Sequence, residues 1–264
     1  MRCARLAPMA LIRCDFFSDV LQLGTSMTVL LPQASEEQIG AETTTRSGPP
    51  PVLYLLHGLS DDDSAWLRYT SIDRYASALG LAVVMPQVHR SFYTDLPHAG
   101  GRYWTFLSEE LPQIVGDFFQ VSDRREDTFV AGLSMGGYGA LKWSLAQPER
   151  FAAAASMSGA VDLQELIDSG EREALFENVL GDRSLAEVGG DLFAALDAAD
   201  PGTAPRLYVA CGTEDVRLVE GNRRLASYAA DRGLDITTSF TAGEHEWGYW
   251  DVRIQDVLGW LPLA

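Results

Sequence analysis

A serine flanked by glycines is the first feature of this sequence that could carry out chemistry. Gly132-Leu133-Ser134-Met135-Gly136 follows the short apolar run Thr128 to Ala131 and precedes a segment with helical periodicity. In the G-x-S-x-G pattern, a serine lies on a sharp strand-to-helix turn, and the glycines let two chain segments pass closely. The pentapeptide alone is a weak signal, but its position between strand and helix favours a nucleophilic serine. The alternative, a phosphate-binding turn, lacks the G-x-G-x-x-G and G-K-[ST] patterns.

A serine hydroxyl needs an adjacent base that is itself oriented by a third group. The chain has four histidines. In this strand-turn-helix arrangement the chain order is serine, then acid, then histidine. His57, His89 and His98 precede Ser134, so only His245, in a predicted loop beyond the last predicted strand, has the required order. The sequence therefore predicts His245 as the general base.

The acid is expected after the apolar run Arg206 to Ala210, where Glu214 and Asp215 are adjacent. We choose Asp215, with Glu214 as the alternative. Neighbouring residues point in different directions, and the spacing alone does not decide which of them faces His245. Acidic residues in such loops also commonly cap helices.

Acyl transfer requires two backbone amides aimed at the oxyanion that develops in the transition state. Met135, directly after the serine, supplies the first amide. The loop after the apolar run Val52 to Leu56 supplies the second, with Leu59 as the expected donor. We expect His57 to brace this loop and not to titrate in catalysis.

Other residues in these loops suggest a pocket but no metal. Tyr93 and Trp247 are expected to line the substrate pocket, because their loops should open at the same sheet edge as Ser134. The run Asp61 to Asp63 has the chemistry of a metal site, but three consecutive carboxylates diverge. We interpret it as a solvated loop with a helix-start bias, and expect neither metal nor cofactor.

The elements that must position these residues alternate short, continuous apolar runs with helical segments. Continuous runs are typical of strands buried on both faces, which predicts an α/β fold with a mostly parallel central sheet and helices on both faces. An edge hairpin is predicted from Val20 to Leu23 and Ser26 to Leu31. The helical segments are Ile72 to Leu79, Glu110 to Phe119, Gly137 to Ala146, Asn222 to Asp231 and Val252 to Trp260.

The length of 264 residues fits one domain. We place this domain at residues 11–264, with residues 1–10 as an N-terminal extension, and translation could start at Met1 or at Met9. Residues 161–201 interrupt the alternation with short helical pieces and no strand. This insertion stands where a lid often forms, and an ordinary surface excursion explains it equally well.

Charge and composition exclude several kinds of partner. Twenty basic and 37 acidic residues give a net charge of −17, which repels nucleic acids and anionic lipids. No apolar run reaches the length of a membrane helix, and no signal-peptide cleavage pattern follows the first residues. Three cysteines without C-x-x-C spacing suit a reducing compartment, so we expect a cytoplasmic protein. The sequence leaves open whether it forms a homo-oligomer.

Several segments together resemble the esterase D-like branch of the α/β-hydrolases, and within it the tributyrin-esterase and acetyl-esterase type. The resemblance extends from about Leu11 to Trp260 and implies the α/β-hydrolase fold. It implies Ser134 as nucleophile, His245 as base and Asp215, in preference to Glu214, as acid, with oxyanion donors Leu59 and Met135. The segments that carry it are Leu55-Leu56-His57-Gly58-Leu59, Gly132 to Ala140, Cys211-Gly212-Thr213-Glu214-Asp215 and Gly243-Glu244-His245-Glu246-Trp247.

The resemblance also implies an activity, which is the hydrolysis of short acyl esters through an acyl-enzyme without a cofactor. The insertion at residues 161–201 is too short to form a large cap, so we expect a small acyl pocket that takes groups from acetyl to butyryl. The expected partner is a small-molecule ester. The same family includes S-formylglutathione hydrolases, which cleave a thioester, and mycolyltransferases, which pass the acyl group to a sugar. A triad does not separate these activities. A noncatalytic binding protein of the same fold is the alternative from another class, and such proteins usually lack a triad member.

Overall fold

The computed structural model describes residues 9–33, 48–97 and 101–263, and His98 and most of the predicted N-terminal extension lie outside them. Eight strands in these ranges form one sheet: β1 (Met9–Ser18), β2 (Leu23–Pro32), β3 (Val52–Leu56), β4 (Ala82–Pro86), β5 (Thr128–Leu133), β6 (Ala153–Met157), β7 (Arg206–Gly212) and β8 (Ile236–Thr241). Their order is β1-β2-β4-β3-β5-β6-β7-β8. The strands from β3 to β8 are parallel, whereas β1 and β2 form an antiparallel extension at one edge.

Helices cover both faces of this sheet, which confirms the predicted fold class. They are α1 (Ala65–Tyr69), α2 (Ile72–Leu79), α3 (Tyr103–Thr105), α4 (Leu111–Phe118), α5 (Met135–Ala146), α6 (Leu163–Asp168), α7 (Glu173–Leu180), α8 (Leu192–Ala198), α9 (Val219–Asp231) and α10 (Trp247–Trp260). A π-helical turn, Phe106–Glu110, joins α3 to α4.

The central strands are buried along their whole length because each face of the sheet packs against its own helical layer. In β3, Tyr54 and Leu56 belong to the core on one face, with residues of α4, α5, α8 and α9. Leu53 and Leu55 belong to the core on the other face, with residues of α2 and α10. Continuous apolar runs are the sequence signature of such doubly covered strands.

The predicted edge hairpin exists, but its first strand was placed wrongly. The first strand is Met9–Ser18, and the predicted strand Val20 to Leu23 lies mostly in the turn between β1 and β2. The Glu110 carboxylate holds this turn, because it accepts hydrogen bonds from the backbone N–H groups of Asp19 (2.8 Å) and Val20 (3.2 Å). Because this partner is distant in sequence, the apolar run alone did not reveal the turn.

The insertion at residues 161–201 packs onto the main core and builds no layer of its own. The buried residues of its helices include Leu163 on α6, Phe176 on α7, and Leu192 and Leu196 on α8. The Tyr138 hydroxyl on α5 donates to the backbone oxygen of Gly190 at 2.9 Å, and this hydrogen bond ties the insertion to the helix that follows Ser134. Its use as a lid remains a prediction.

The helices of residues 9–33, 48–97 and 101–263 include none with the length and apolar character needed to cross a membrane.

Candidate active site

Ser134 lies at the turn between β5 and α5 with φ 53° and ψ −117°, a strained conformation for a residue with a side chain. The flanking glycines are required by close backbone contacts. A Cβ at Gly132 would lie 2.3 Å from the Gly136 oxygen, and one at Gly136 would lie 2.4 Å from the Leu56 oxygen. The Ser134 N–H donates to the Met157 oxygen on β6 at 2.9 Å. The turn is therefore packed between two neighbouring strands.

His245 connects Ser134 to Asp215 by two hydrogen bonds. Its Nε2 lies 3.0 Å from Ser134 Oγ, and its Nδ1 lies 2.7 Å from Asp215 Oδ2. The Asp215 side chain is buried, whereas the imidazole is 38% exposed. Since the Nδ1–H donates a hydrogen bond to the carboxylate, Nε2 has a free lone pair to take the serine proton. The arrangement can generate a nucleophilic alkoxide.

The two adjacent acids after β7 have different partners. Asp215 faces His245 and also accepts a long contact of 3.8 Å from the Cys211 thiol, whose pKa is raised to about 12 by burial. Glu214 accepts from the Gly243 N–H in the histidine loop, and hydrogen bonds lower the pKa of its carboxyl group. The geometry thus favours Asp215 as the acid and makes Glu214 a support of the loop that carries His245.

The loop after β3 passes directly beside the nucleophile. A Cβ at Gly58 would lie 3.8 Å from Ser134 Cβ. Leu59 follows Gly58 and Met135 follows Ser134, so both predicted oxyanion donors belong to segments that border the serine side chain. Met135 is also the first residue of α5, where the unpaired N–H groups favour negative charge.

His57 holds this loop from inside the protein. Its imidazole is buried, with Nδ1 2.7 Å from the Gly58 oxygen and Nε2 accepting the Val88 N–H at 3.1 Å. Burial lowers the pKa of His57, so the ring stays neutral and uses one nitrogen as donor and the other as acceptor. This is the bracing role expected from the sequence.

Tyr93 does not have the surroundings of a substrate contact. Its side chain is wholly buried, and a Cβ at Gly139 would lie 2.4 Å from its ring, so no surface of Tyr93 is left for a substrate. Its hydroxyl donates to the His57 oxygen at 2.9 Å. The loop position was predicted correctly in sequence, but the side chain points into the core and supports the segment beside Ser134.

A buried lysine holds the Tyr93 segment in turn. Lys142 Nζ on α5 donates to the Tyr93 oxygen at 3.0 Å and to Thr94 Oγ1 at 3.1 Å, and it lies 4.6 Å from the centre of the Trp104 ring. Burial lowers the pKa of Lys142 to about 7. Sequence reasoning missed this residue, because one lysine within an apolar helix carries no distinctive spacing.

Trp247 is half-buried and belongs to an aromatic cluster next to the histidine. Its ring stacks on Tyr69 at 4.9 Å between centroids and meets Trp66 and Trp250 edge-on at 5.3 Å each. Trp250 in turn contacts the His245 ring at 4.9 Å in a perpendicular arrangement. Trp250 was not selected from the sequence. The signal that could have identified Trp250 is its spacing from Trp247. If a helix begins at Trp247, Trp250 lies about one turn further along on the same face.

The interpretation of the acidic run as a solvated loop is wrong for one of its three members. Asp63 is buried and accepts hydrogen bonds from Ser26 Oγ (3.0 Å) and Thr28 Oγ1 (2.7 Å), which tie the loop to β2. Asp62 accepts from the Ser64 N–H at 2.9 Å. In the part of the chain that the structure describes, no group of three or more His, Cys, Asp or Glu side chains is arranged to hold a metal ion.

Comparison with known proteins agrees with this geometry. A family model named Esterase and described as "Putative esterase" matches residues 18–261. The acetyl esterase of Caldicellulosiruptor saccharolyticus is 29% identical over 263 residues, which cover 96% of this chain and 98% of that protein.

Two solved structures from Staphylococcus aureus match over nearly the whole chain. The fluorophosphonate-binding serine hydrolase FphF, with substrate bound, has a TM-score of 0.85 and 32% identity, covering 97% of this chain and 99% of that one. The S-formylglutathione hydrolase FrmB has a TM-score of 0.81 and 33% identity, covering 96% and 99%. The chain therefore belongs to the Esterase family and is an esterase D-like α/β-hydrolase, a serine hydrolase that acts on carboxylic esters.

Proposed function

We propose that this chain is a carboxylesterase that hydrolyses small esters of short acyl groups, from acetyl to butyryl, in the cytoplasm and without a cofactor. The proposal rests on one observation, the continuous path from Ser134 Oγ to His245 Nε2 and from His245 Nδ1 to Asp215 Oδ2, at 3.0 and 2.7 Å. Leu59 and Met135 supply the oxyanion amides. Trp247 is the proposed substrate contact.

The reaction follows from these positions. Ser134 Oγ attacks the acyl carbon while His245 Nε2 takes its proton, and the amides of Leu59 and Met135 stabilise the oxyanion. The imidazolium then gives that proton to the departing alkoxide, which leaves the acyl group on Ser134. A water molecule, deprotonated by the same Nε2, then attacks the acyl carbon. The bond from that carbon to Ser134 Oγ breaks, the imidazolium returns its proton to Oγ, and the carboxylic acid is released. Asp215 stabilises the imidazolium in both halves.

Support for a short acyl group comes from the insertion and from a relative. The helices of residues 161–201 bury their apolar residues in the main core, which leaves them unable to form a large separate cap over a long acyl chain. Each methylene that fits a pocket contributes about 0.8 kcal/mol, whereas one that overfills it costs about 1 to 3 kcal/mol. We therefore expect activity to rise from acetyl to butyryl and then to fall. The acetyl esterase similarity agrees with this range.

A thioesterase that acts on S-formylglutathione is the second candidate, favoured by the 33% identity with FrmB. Glutathione carries a net negative charge, and a chain with a charge of −17 offers it no general attraction. Arg217, a cation that could serve such a ligand, is ion-paired with Glu171. These charges favour an esterase over a thioesterase that acts on S-formylglutathione.

The two candidates are separated by one substrate panel. Purified enzyme is assayed for kcat/KM on p-nitrophenyl acetate, butyrate and octanoate and on S-formylglutathione, with Ser134→Ala as the control for background hydrolysis. We expect acetate and butyrate to exceed both octanoate and the thioester. A thioester kcat/KM at least a hundredfold above the ester values would assign the chain to the second candidate.

A further inference from the structure

One carboxylate of the acidic run lies beside the nucleophile. The position that a Cβ would take at Gly58 lies 2.9 Å from Asp61 Oδ2, 3.8 Å from Ser134 Cβ and 2.8 Å from Leu133 Cδ1. The carboxylate and the serine side chain therefore border the same space, and Gly58 contributes no side chain that would fill it. Leu59, the proposed oxyanion donor, follows Gly58 directly. The Asp61 carboxylate thus stands at the edge of the reaction centre.

The other two carboxylates of the run have close cationic partners. Arg68 Nη2 pairs with Asp62 Oδ1 at 3.2 Å, and Arg13 Nη1 lies 3.5 Å from Asp63 Oδ2. Among the residues that the structure describes, Asp61 has no such ion pair. It is half-buried, and burial raises the pKa of its carboxyl group. Asp61 is therefore the member of the run whose negative charge is left without an adjacent cation.

A negative charge at this position changes the energy of charged substrates. At a separation of about 7 Å, the attraction between opposite unit charges changes a rate constant about threefold in water, and more where the site excludes water. The proposed acyl groups have at most four carbons, which leaves the alcohol half of the ester to carry a charge. An alcohol half with a positive charge would be favoured.

The aromatic cluster beside His245 suits the same class of alcohol. Ring faces of Tyr and Trp attract cations, and quaternary ammonium groups bind in such surroundings. Trp247 stacks on Tyr69, which is 49% exposed. The guanidinium of Arg68 pairs with Asp62 and lies 5.1 Å from the centre of the Tyr69 ring, so the chain already holds one cation between a carboxylate and this cluster.

We propose that Asp61 is a specificity-determining residue, which makes the enzyme prefer short acyl esters of alcohols that carry an ammonium group over neutral esters of the same shape. This inference rests on the proposed function, because the ester is still cleaved by Ser134. The ammonium group takes no part in the reaction. Its attraction to the carboxylate favours the bound ester.

The test compares acetylcholine with 3,3-dimethylbutyl acetate, in which a carbon atom replaces the nitrogen and the shape is kept without the charge. Acid release is titrated at pH 8.0, where a carboxyl group with an ordinary pKa of about 3.9 stays ionised after a moderate rise. We expect the wild-type kcat/KM for acetylcholine to exceed that for the neutral ester by at least about threefold. Asp61→Asn should abolish this preference, whereas Asp61→Glu should retain it.

Salt provides a second measurement that a merely structural role of Asp61 would not affect. Raising the ionic strength from about 0.02 M to about 0.5 M screens the attraction between exposed charges. The ratio of the two kcat/KM values should then fall towards one in the wild type and stay constant in Asp61→Asn. Because both substrates are measured with the same preparation, a loss of folded enzyme does not change the ratio.

The matched control is Asp123→Asn, which makes the same change in net charge. Asp123 is exposed and precedes β5, whereas Ser134 follows this strand, so the two lie at opposite ends of it. This variant should keep the wild-type ratio. Equal kcat/KM values for the two acetates in the wild type, an unchanged ratio in Asp61→Asn, or an equal loss in Asp123→Asn would overturn the inference.

These outcomes are distinguishable from a failure of the proposed function. If the wild type hydrolyses 3,3-dimethylbutyl acetate but shows no preference for the cation, the inference about Asp61 is wrong and the esterase proposal stands. If it hydrolyses neither acetate, nor p-nitrophenyl butyrate, both are wrong.

Discussion

The two halves of the active site are supported in different ways. The half that contains Ser134 and the loop of Gly58 is packed inside the protein and braced by His57, Tyr93 and Lys142. The half that contains His245 lies on an exposed loop. An oxyanion hole needs donors that are already in place, because reorganisation would cost transition-state stabilisation. The proton carrier has to exchange protons with water and the leaving group, so it needs access.

The exposed loop is nevertheless tied down at its base. Glu214 accepts from the Gly243 N–H, and a Cβ at Gly212 would lie 2.1 Å from the Gly243 oxygen. Gly243 has φ 147°, and a Cβ there would lie 2.3 Å from the Tyr249 ring. The histidine loop is therefore held mainly at one glycine, by the exposed Glu214 carboxylate and by close packing, whereas the serine side is held by several buried side chains.

The largest expected effect comes from removing a reacting group on either side. Ser134→Ala and His245→Ala should each lower kcat on p-nitrophenyl butyrate by about 10⁴-fold to 10⁶-fold, and the double variant should be scarcely worse than either single one, because the groups act as a unit. Steady-state kinetics of the three variants measure this. Near wild-type turnover in either single variant would contradict the proposed roles.

The second prediction separates the two adjacent acids. Asp215→Asn should lower kcat by about 10⁴-fold, because the imidazole loses the partner that sets its tautomer. Glu214→Gln keeps an oxygen that can accept from Gly243, so its kcat should stay within about tenfold of the wild type. The same assay compares both variants, and the reverse order of activities would transfer the role of acid to Glu214.

The third prediction concerns the braces on the serine side. Tyr93→Phe removes the hydroxyl that donates to the His57 oxygen, which leaves that oxygen without this donor at a cost of about 1 to 3 kcal/mol in unfolding free energy. We expect kcat to fall by about tenfold with little change in KM, because the loop of the proposed oxyanion donor Leu59 shifts while the proposed substrate contact is untouched. Trp247→Ala should instead raise KM.

Tyr54→Phe is the matched control for this comparison, since Tyr54 is a buried tyrosine on β3 whose ring packs on Trp143 and Phe151. It should leave kcat unchanged. Equal losses of kcat in the Tyr93→Phe and Tyr54→Phe variants would mean that the loss reflects general destabilisation of β3.

Replacing Lys142 should have the smallest effect on activity. Its main effect should be on how the free energy of unfolding depends on pH. The pKa of Lys142 is lowered to about 7 in the folded protein, so between pH 7 and about 10.5 the unfolded chain binds more protons than the folded one. Stability should therefore rise with pH across this window, by at most about 1.4 kcal/mol per pH unit, and show no such slope below it. Lys142→Met lacks the titrating amine.

Denaturant unfolding of the wild type and of Lys142→Met at pH 7.0, 8.0 and 9.0 measures the difference between them. We expect the free energy of unfolding of the wild type to increase relative to that of Lys142→Met as the pH rises. A difference that is constant over this range would show that the amine does not titrate within it.

Much of the site could be predicted from the sequence because it depends on local backbone geometry. The glycines around Ser134 reflect contacts between consecutive elements, β5 and α5, and continuous apolar runs indicate strands that are covered on both faces. Chain order alone excluded three histidines and left His245. These features need no knowledge of distant contacts.

Only the tertiary structure decided which way the side chains point. Asp215 and Glu214 are adjacent, and their roles separate because His245 and Gly243 approach from a different segment of the chain. Tyr93 points into the core because Gly139 on α5 leaves room for its ring, and Asp63 is buried because β2 offers two hydroxyl groups. Each of these partners lies about 30 or more residues away in sequence. Residue spacing carries the conformation of the local backbone, whereas a side chain's partner is set by how distant segments pack.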